Sequence, residues 1–344
     1  MNAHMKPIVV TILIFCIAPV LSGEQVQFSK TALAAFAHGA RIKVAFHVCD
    51  STGKPVEEAL VDIGLSQEAN GKIRDYSGKT DQNGNWVLET KCSSIANARI
   101  RKNGYYETRI RKKLFSVDRS EVNNRINANG WQPWEQTIIL KERRSPSAMC
   151  VVESKVLHMP LDKPVGFDFC VGDLTGPLGK GAVADITLQI ISTTHPSSST
   201  RSADRLQIVA NTEAGGTIKL KQDIDSQMKS VYRAPTNGFM QVATFFRNRD
   251  YTGSGLMYDM AMDEGDYIVF RVRVEKDDSG SIVKSKYGKL YKLKFGDRGK
   301  DGQNAYVLLS YYLNPTDNDT NLEWDGTDLN SGRKYDIDKI LAPL

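Results

Sequence analysis

No Cys-x-x-Cys, His-Glu-x-x-His or Gly-x-Ser-x-Gly occurs in this chain. Those absences argue against paired-thiolate zinc sites, thioredoxin-like chemistry, zinc-peptidase helices and the nucleophile elbow of hydrolases. Histidine is scarce: beyond His4 there are only His38, His47, His158 and His195, and nothing supplies His47-x-x-Asp50 with a third metal ligand. Helical periodicity is nearly missing, apart from an N-terminal apolar run and a possible turn over Thr31 to Ala37. No later run approaches the ~20 apolar residues that a spanning helix needs. A phosphate-binding loop is missing too. Gly172 to Gly181 comes nearest, but Leu174 stands where the first glycine is required and Gly181 where Ser or Thr is required. Nor does charge of one sign dominate, with 45 basic residues against 40 acidic ones. No nucleotide and no nucleic acid is therefore expected as a partner. Arg99, Arg101, Lys102, Arg109, Arg111, Lys112 and Lys113 bunch together, which reads as a solvated sheet face.

What is present begins with Lys6, the only Lys, Arg, Asp or Glu before Glu24. It is followed by the apolar run Ile8 to Leu21 and the small residues Ser22 and Gly23. A basic head, a short apolar core and a small-residue exit form a secretory signal peptide over residues 1–23, cleaved near Ser22 or Gly23. An uncleaved anchor is the alternative. The expected location is outside the cytoplasm: secreted, periplasmic or at the cell surface.

Cys49, Cys92, Cys150 and Cys170 follow the leader, an even count in an exported chain. The pairs Cys49–Cys92 and Cys150–Cys170 keep each disulfide inside one module. Each would contribute roughly 3–4 kcal/mol on the chain-entropy view. Four buried thiols are the competing reading.

From Arg41 the chain reads as strands. Ile42, Val44, Phe46 and Val48 alternate with polar or small residues, as do Ala59, Val61, Ile63 and Leu65. Asp50 to Pro55 and Thr80 to Asn85 carry turn residues, with Asn83-Gly84 suited to positive φ. Many short strands at regular spacing indicate a β-sandwich. Asp50-x-x-Gly53-Lys54-Pro55-Val56, Ala59-x-Val61, Thr80-Asp81-x-Asn83-Gly84 and Gly104-Tyr105 together resemble the carboxypeptidase regulatory-like domain, a transthyretin-like β-sandwich. The resemblance covers residues 40–143, about a third of the chain. It implies a rigid spacer or accessory module without peptidase activity. The sequence departs from the pattern between Phe115 and Glu135, where a polar insertion carries Trp131 and Trp134.

After the polar junction Glu142 to Ser147, longer strands are expected over 165–171, 182–191, 206–210, 217–220, 240–246, 267–274, 289–295 and 305–313. The fold class is thus all-β: a sandwich over 40–143 and a larger, jelly-roll-like sandwich over 150–344. In Tyr267 to Val274 apolar residues alternate with Arg, the pattern of a half-exposed strand.

Three sets of residues are candidates for a site. Trp131 and Trp134, on the turn-rich Gly130-Trp131-Gln132-Pro133-Trp134, could stack on sugar rings or anchor a protein; plugging the sandwich core is the alternative. Asp317, Asp319, Asn321, Asp325 and Asp328 put oxygens at loop positions 1, 3, 5, 9 and 12, the spacing of a calcium loop. Leu322 occupies the position that needs glycine, so no cofactor is expected unless calcium binds here. Asp168 and Asp185 could form a hydrolytic carboxylate pair, although alternation points them to solvent. The composite expectation is an exported, non-catalytic envelope or secreted protein that binds a protein or glycan partner. A glycan-binding module or carbohydrate-active enzyme is the alternative.

Overall fold

The computed structural model describes residues 26–69, 71–194, 201–222, 225–251, 256–258, 262, 265–298 and 304–337. The expected leader lies outside them. The fold is all-β, with several stacked sheets and, among the described residues, no barrel. In chain order come α1 (Lys30–His38), β1 (Ala40–Asp50), β2 (Leu60–Ser66), β3 (Ile73–Lys79), β4 (Asn85–Cys92), β5 (Ile95–Arg101), β6 (Thr108–Lys113), α2 (Arg119–Arg125), β7 (Ile126–Asn127), β8 (Gly130–Trp131) and β9 (Trp134–Leu140). Then follow β10 (Ser147–Pro160), β11 (Val165–Asp168), β12 (Asp173–Leu174), β13 (Ile186–Thr194), β14 (Arg201–Ala210), β15 (Gly216–Lys221) and β16 (Val242–Tyr251). The last are β17 (Leu256–Tyr258), β18 (Asp266–Lys276), β19 (Ile282–Arg298), β20 (Asn304–Asn314), β21 (Trp324–Asp328) and β22 (Arg333–Lys334).

The first pair of sheets is β4-β1-β9 against β3-β2-β5-β6. Alternation does the work here. Ile42, Val44, Phe46 and Val48 of β1 meet Val61, Ile63 and Leu65 of β2 in one buried cluster. Asn83-Gly84 turns as expected: Gly84 has φ +73, and a Cβ there would lie 2.2 Å from the Val48 carbonyl oxygen. Two helices close the end of this pair. Ser29 caps α1 by accepting from the Ala32 amide, and Asp118 caps α2 by accepting from the Glu121 amide.

The second pair is the seven-stranded β15-β18-β19-β20-β10-β21-β22 against the six-stranded β12-β11-β13-β14-β16-β17. Phe167, Phe169, Phe270 and Tyr311 pack at its centre, with Phe169 stacked on Phe270 at 4.0 Å between centroids. Three expectations need correction here. Strand β10, unmarked in the sequence, runs for 14 residues. A bulge between Val152 and Lys155, with Ser154 at φ 48, breaks its alternation. Residues 182–185 belong to a loop, not to β13. And β18 is not half-exposed: Ile268, Phe270 and Val272 face the main core while Tyr267 and Val269 join a second cluster. Arg271 on that second face is buried, donating to the carbonyls of Ala214 (2.8 Å) and Thr236 (2.9 Å).

A polar seam joins the two pairs. The buried Glu323 carboxylate accepts from Tyr106 Oη (3.1 Å) and from the amides of Arg144 (2.7 Å) and Ser145 (2.8 Å). Lys141 Nζ donates to the carbonyls of Met228 (3.1 Å) and Ser230 (2.6 Å), and Lys289 Nζ donates to Ser230 Oγ (3.0 Å). The Lys289 side chain is buried under the Tyr312 ring. Burial, reinforced by the neighbouring Lys141, pulls its ammonium down to about 7, against the pull of Glu323.

Candidate functional site

The residues singled out in the sequence do not assemble into a site. Trp131 and Trp134 are buried in the first core, not displayed as a platform. Trp131 Nε1 donates to the Cys92 carbonyl at 2.7 Å, and the Trp134 ring meets Phe46 edge-on at 5.0 Å. Their expected ligand-stacking role is therefore corrected to core plugging: β8 and β9 turn both indoles inward.

The calcium loop does not form either. Asp317 is drawn to Lys286 (2.7 Å), whose hydrogen bond holds its carboxyl below the usual range. Asp319 accepts from Asn314 Nδ2 and the Asn321 amide, and Asn321 donates to the Ser145 carbonyl. Asp325 accepts from the Thr327 amide, while Asp328 accepts from the amides of Val151 and Asn330. The five side chains serve separate turns around a fully buried Leu322. Among the described residues no group of three or more His, Cys, Asp or Glu is placed to hold a metal ion.

Among the described residues the four cysteines, Cys49, Cys92, Cys150 and Cys170, carry free thiols. Cys92 is opposite Ala40 at one end of β1 while Cys49 lies near the other. At about 3.3 Å per residue that separation forbids the Cys49–Cys92 disulfide. Cys150 and Cys170 share the second core without a bond between them. Burial pushes the Cys92 and Cys170 thiols up to about 11, which disfavours a reactive thiolate at either.

Asp168 and Asp185 do meet, but inside the protein, against the expectation of solvent exposure. Arg273 donates to Asp168 Oδ1 (2.8 Å) and Asp185 Oδ1 (2.8 Å). Asp168 further accepts from the amides of Cys170, Val171, Ala182 and Val183, and Asp185 from that of Phe169. Arg273 reaches them from a bulge in β18, at φ 53. Both carboxylates are thus consumed in pinning the 169–183 loop.

A concave site lies elsewhere, on the outward face of β3-β2-β5-β6. Strand β2 sends Val61, Ile63 and Leu65 inward, and therefore Asp62 and Gly64 outward. Cross-strand register builds two rungs across the four strands: Ser77–Asp62–Arg99–Arg109, and Asp75–Gly64–Asn97–Arg111. Because Gly64 has no side chain, the second rung sinks in the middle. The result is an open cleft of about 740 Å³, walled at one end by Asp225. A second depression of about 510 Å³, lined by Leu60, Lys79, Arg101, Tyr105, Glu107 and Arg143, continues it along the strands.

Glu107 organises the basic wall. Its buried carboxylate receives Arg109 and, at 3.3 Å, Arg99, which fixes two guanidinium groups at the rim. Asp62 is held by Arg101 (2.5 Å) and by Ser77 Oγ (2.7 Å). Among the described residues, the side chains of Asp75, Asn97 and Arg111 hold no hydrogen bond or ion pair. The cleft thus offers a free carboxylate, a free amide and a free guanidinium around a glycine floor. The basic run in the sequence signalled one wall of it. The acidic wall came from β3, whose polar residues gave no strand signal.

No protein-family model matches this chain, and no curated protein does. Solved structures similar to it include 3-chlorocatechol 1,2-dioxygenase from Rhodococcus opacus 1CP, 15% identical with a TM-score of 0.26 over 36% of this chain and 70% of that one. Hydroxyquinol 1,2-dioxygenase from Pseudomonas putida DLL-E4 is 13% identical, with a TM-score of 0.23 over 31% of this chain and 59% of that one. Catechol 1,2-dioxygenase from Acinetobacter radioresistens is 14% identical, with a TM-score of 0.23 over 31% and 53%. The match spans less than two thirds of the last two proteins, and likeness of this degree carries no argument about function.

Proposed function

We propose that the chain is an exported, non-catalytic binding protein whose ligand occupies the cleft on β3-β2-β5-β6. One observation carries the reading: Asp75, Asn97 and Arg111 present unengaged donors and acceptors around the Gly64 floor, on a concave sheet face. Polar groups converging in a concavity are what a ligand site requires. The signal-peptide pattern read in residues 1–23 of the sequence supports export, and the resemblance of residues 40–143 to a carboxypeptidase regulatory-like domain suits an accessory module.

The test is capture of ligands from glycan and protein arrays by the chain starting at Glu24, compared with Gly64→Leu. A Cβ at Gly64 meets the flexible Asp75 carboxylate at 2.9 Å and Ile73 Cγ2 at 3.1 Å, with no backbone atom among its near neighbours. The larger side chain therefore fills the cleft by pushing aside the Asp75 and Ile73 side chains, with no backbone atom in its way. Loss of the captured ligand in the variant is expected. Undiminished capture would show that the ligand binds elsewhere.

A further inference from the structure

We infer that the ligand of this cleft is an acidic polysaccharide, a chain of hydroxyl-rich sugars bearing carboxylates. The inference rests on the cleft reading above and adds the chemistry of what fills it. Three features point the same way.

The basic groups repeat along one direction. Arg99 and Arg101 share the outward face of β5, and Arg109 and Arg111 that of β6. Residues two apart on a strand are about 6.6 Å apart, and neighbouring strands about 4.8 Å. By register Arg111 lies opposite Asn97, Arg109 opposite Arg99, and Arg101 one step further on. The guanidinium groups therefore form a staggered row from the first depression toward the second, where Arg101 pairs with Asp62 and Lys79 with Glu58. A row of cations along an open groove suits a linear anion better than a compact one.

The row consists of arginines, and two of them are preoriented. Glu107 holds Arg99 and Arg109. A planar guanidinium pairs with a carboxylate through two parallel hydrogen bonds, so fixing it in advance lowers the ordering cost of binding.

Charge alone does not explain the opposite wall. Asp62 is neutralised by Arg101, but a site for any polyanion would not leave the Asp75 carboxylate unpaired beside the groove, because like charges across an interface cost affinity. Carboxylates and an amide are useful when the ligand also carries hydroxyl groups. Asp75 can accept from a hydroxyl, and Asn97 can both donate and accept. Basic groups on β5 and β6, the unengaged Asp75 acceptor on β3, and a glycine floor between them match a ring with an acid on one edge and hydroxyls on the other. A polypeptide polyanion offers no such second edge.

Binding of the chain from Glu24 onward to polygalacturonate, dextran and polyglutamate, measured by calorimetry at two salt concentrations, tests this. The expected result is binding to polygalacturonate that weakens with salt. Dextran, with hydroxyls but no acid, and polyglutamate, with acid but no hydroxyls, should each bind at least about tenfold more weakly. Arg111→Glu, an exposed change that leaves the fold intact, should cost about tenfold or more on polygalacturonate, and Gly64→Leu should abolish binding. If dextran binds as tightly and is lost in Gly64→Leu, the cleft reading stands and the acidic class is wrong. Polyglutamate binding equally well would reduce the site to bulk charge and overturn the inference, as would no binding of polygalacturonate by the unaltered chain. Polygalacturonate binding that survives both substitutions would overturn the cleft reading itself.

Discussion

The same residue types, arginine and aspartate, are used in two opposite ways in this molecule. In the second pair of sheets Arg273, Asp168 and Asp185 are mutually paired, with further backbone amides donating to both carboxylates. In the cleft of the first pair, Arg111 and Asp75 share a rung with Asn97 between solvent and a glycine floor, and none of the three is engaged. Buried and saturated, the charges hold a loop. Exposed and unsaturated, they are available to something else. Residue type does not separate the two roles, but the accounting of hydrogen bonds does.

That contrast can be broken by substitution, and the largest effect belongs to the buried set. Arg273→Met should cost about 3–5 kcal/mol, because it strands two buried carboxylates. Urea denaturation would measure it, and a loss below 1 kcal/mol would mean the cluster is solvated in a way the structure does not show.

Next comes Lys289 in the seam. Its folded ammonium titrates at about 7 instead of 10.5. Between those values the unfolded chain binds one more proton than the folded one, so stability rises with pH through that window. It is lost again as pH falls through about 7, by roughly 1.4 kcal/mol per pH unit within the window. The groups facing this amine are Lys141, Glu323, Ser230 and Tyr312. Melting curves from pH 6 to pH 10 should show the rise in the natural chain, and Lys289→Met should be flatter and more stable at pH 6. Identical pH profiles would contradict this assignment.

Trp131→Phe should lower stability by about 1–3 kcal/mol, since it leaves the buried Cys92 carbonyl without its donor, yet leave ligand binding unchanged. Smallest of all, Arg111→Ala should move the unfolding midpoint by no more than about 0.5 kcal/mol while weakening ligand binding. A cleft residue that mattered more to stability than to binding would erase the distinction between the two regions.

Much of the fold was legible in the sequence because alternation and turn chemistry agree with each other in β1, β2 and the Asn83-Gly84 turn. Where two faces are buried, as in β18, alternation between apolar residues and Arg misled: Arg271 reaches backbone carbonyls under a covering loop. Where a bulge interrupts the period, as at Ser154, the strand went unseen. The candidate site was less legible for a physical reason. Gly64, Asp75, Asn97 and Arg111 come from four strands and are neighbours only through register, which no local pattern encodes. Trp131 and Trp134 were conspicuous for size and spacing, the same properties that make indoles good core plugs.

Amide hydrogen exchange with and without polygalacturonate tests the central claim most directly. Protection on ligand addition should be confined to β2, β3, β5 and β6, residues 60–66, 73–79, 95–101 and 108–113. The outward face of the six-stranded sheet is the natural control, since the exposed Phe246 lies there in one cross-strand row with the half-buried Ile191 and Arg205. Protection centred on residues 186–209 and 242–246 instead, with the cleft strands unaffected, would contradict the account.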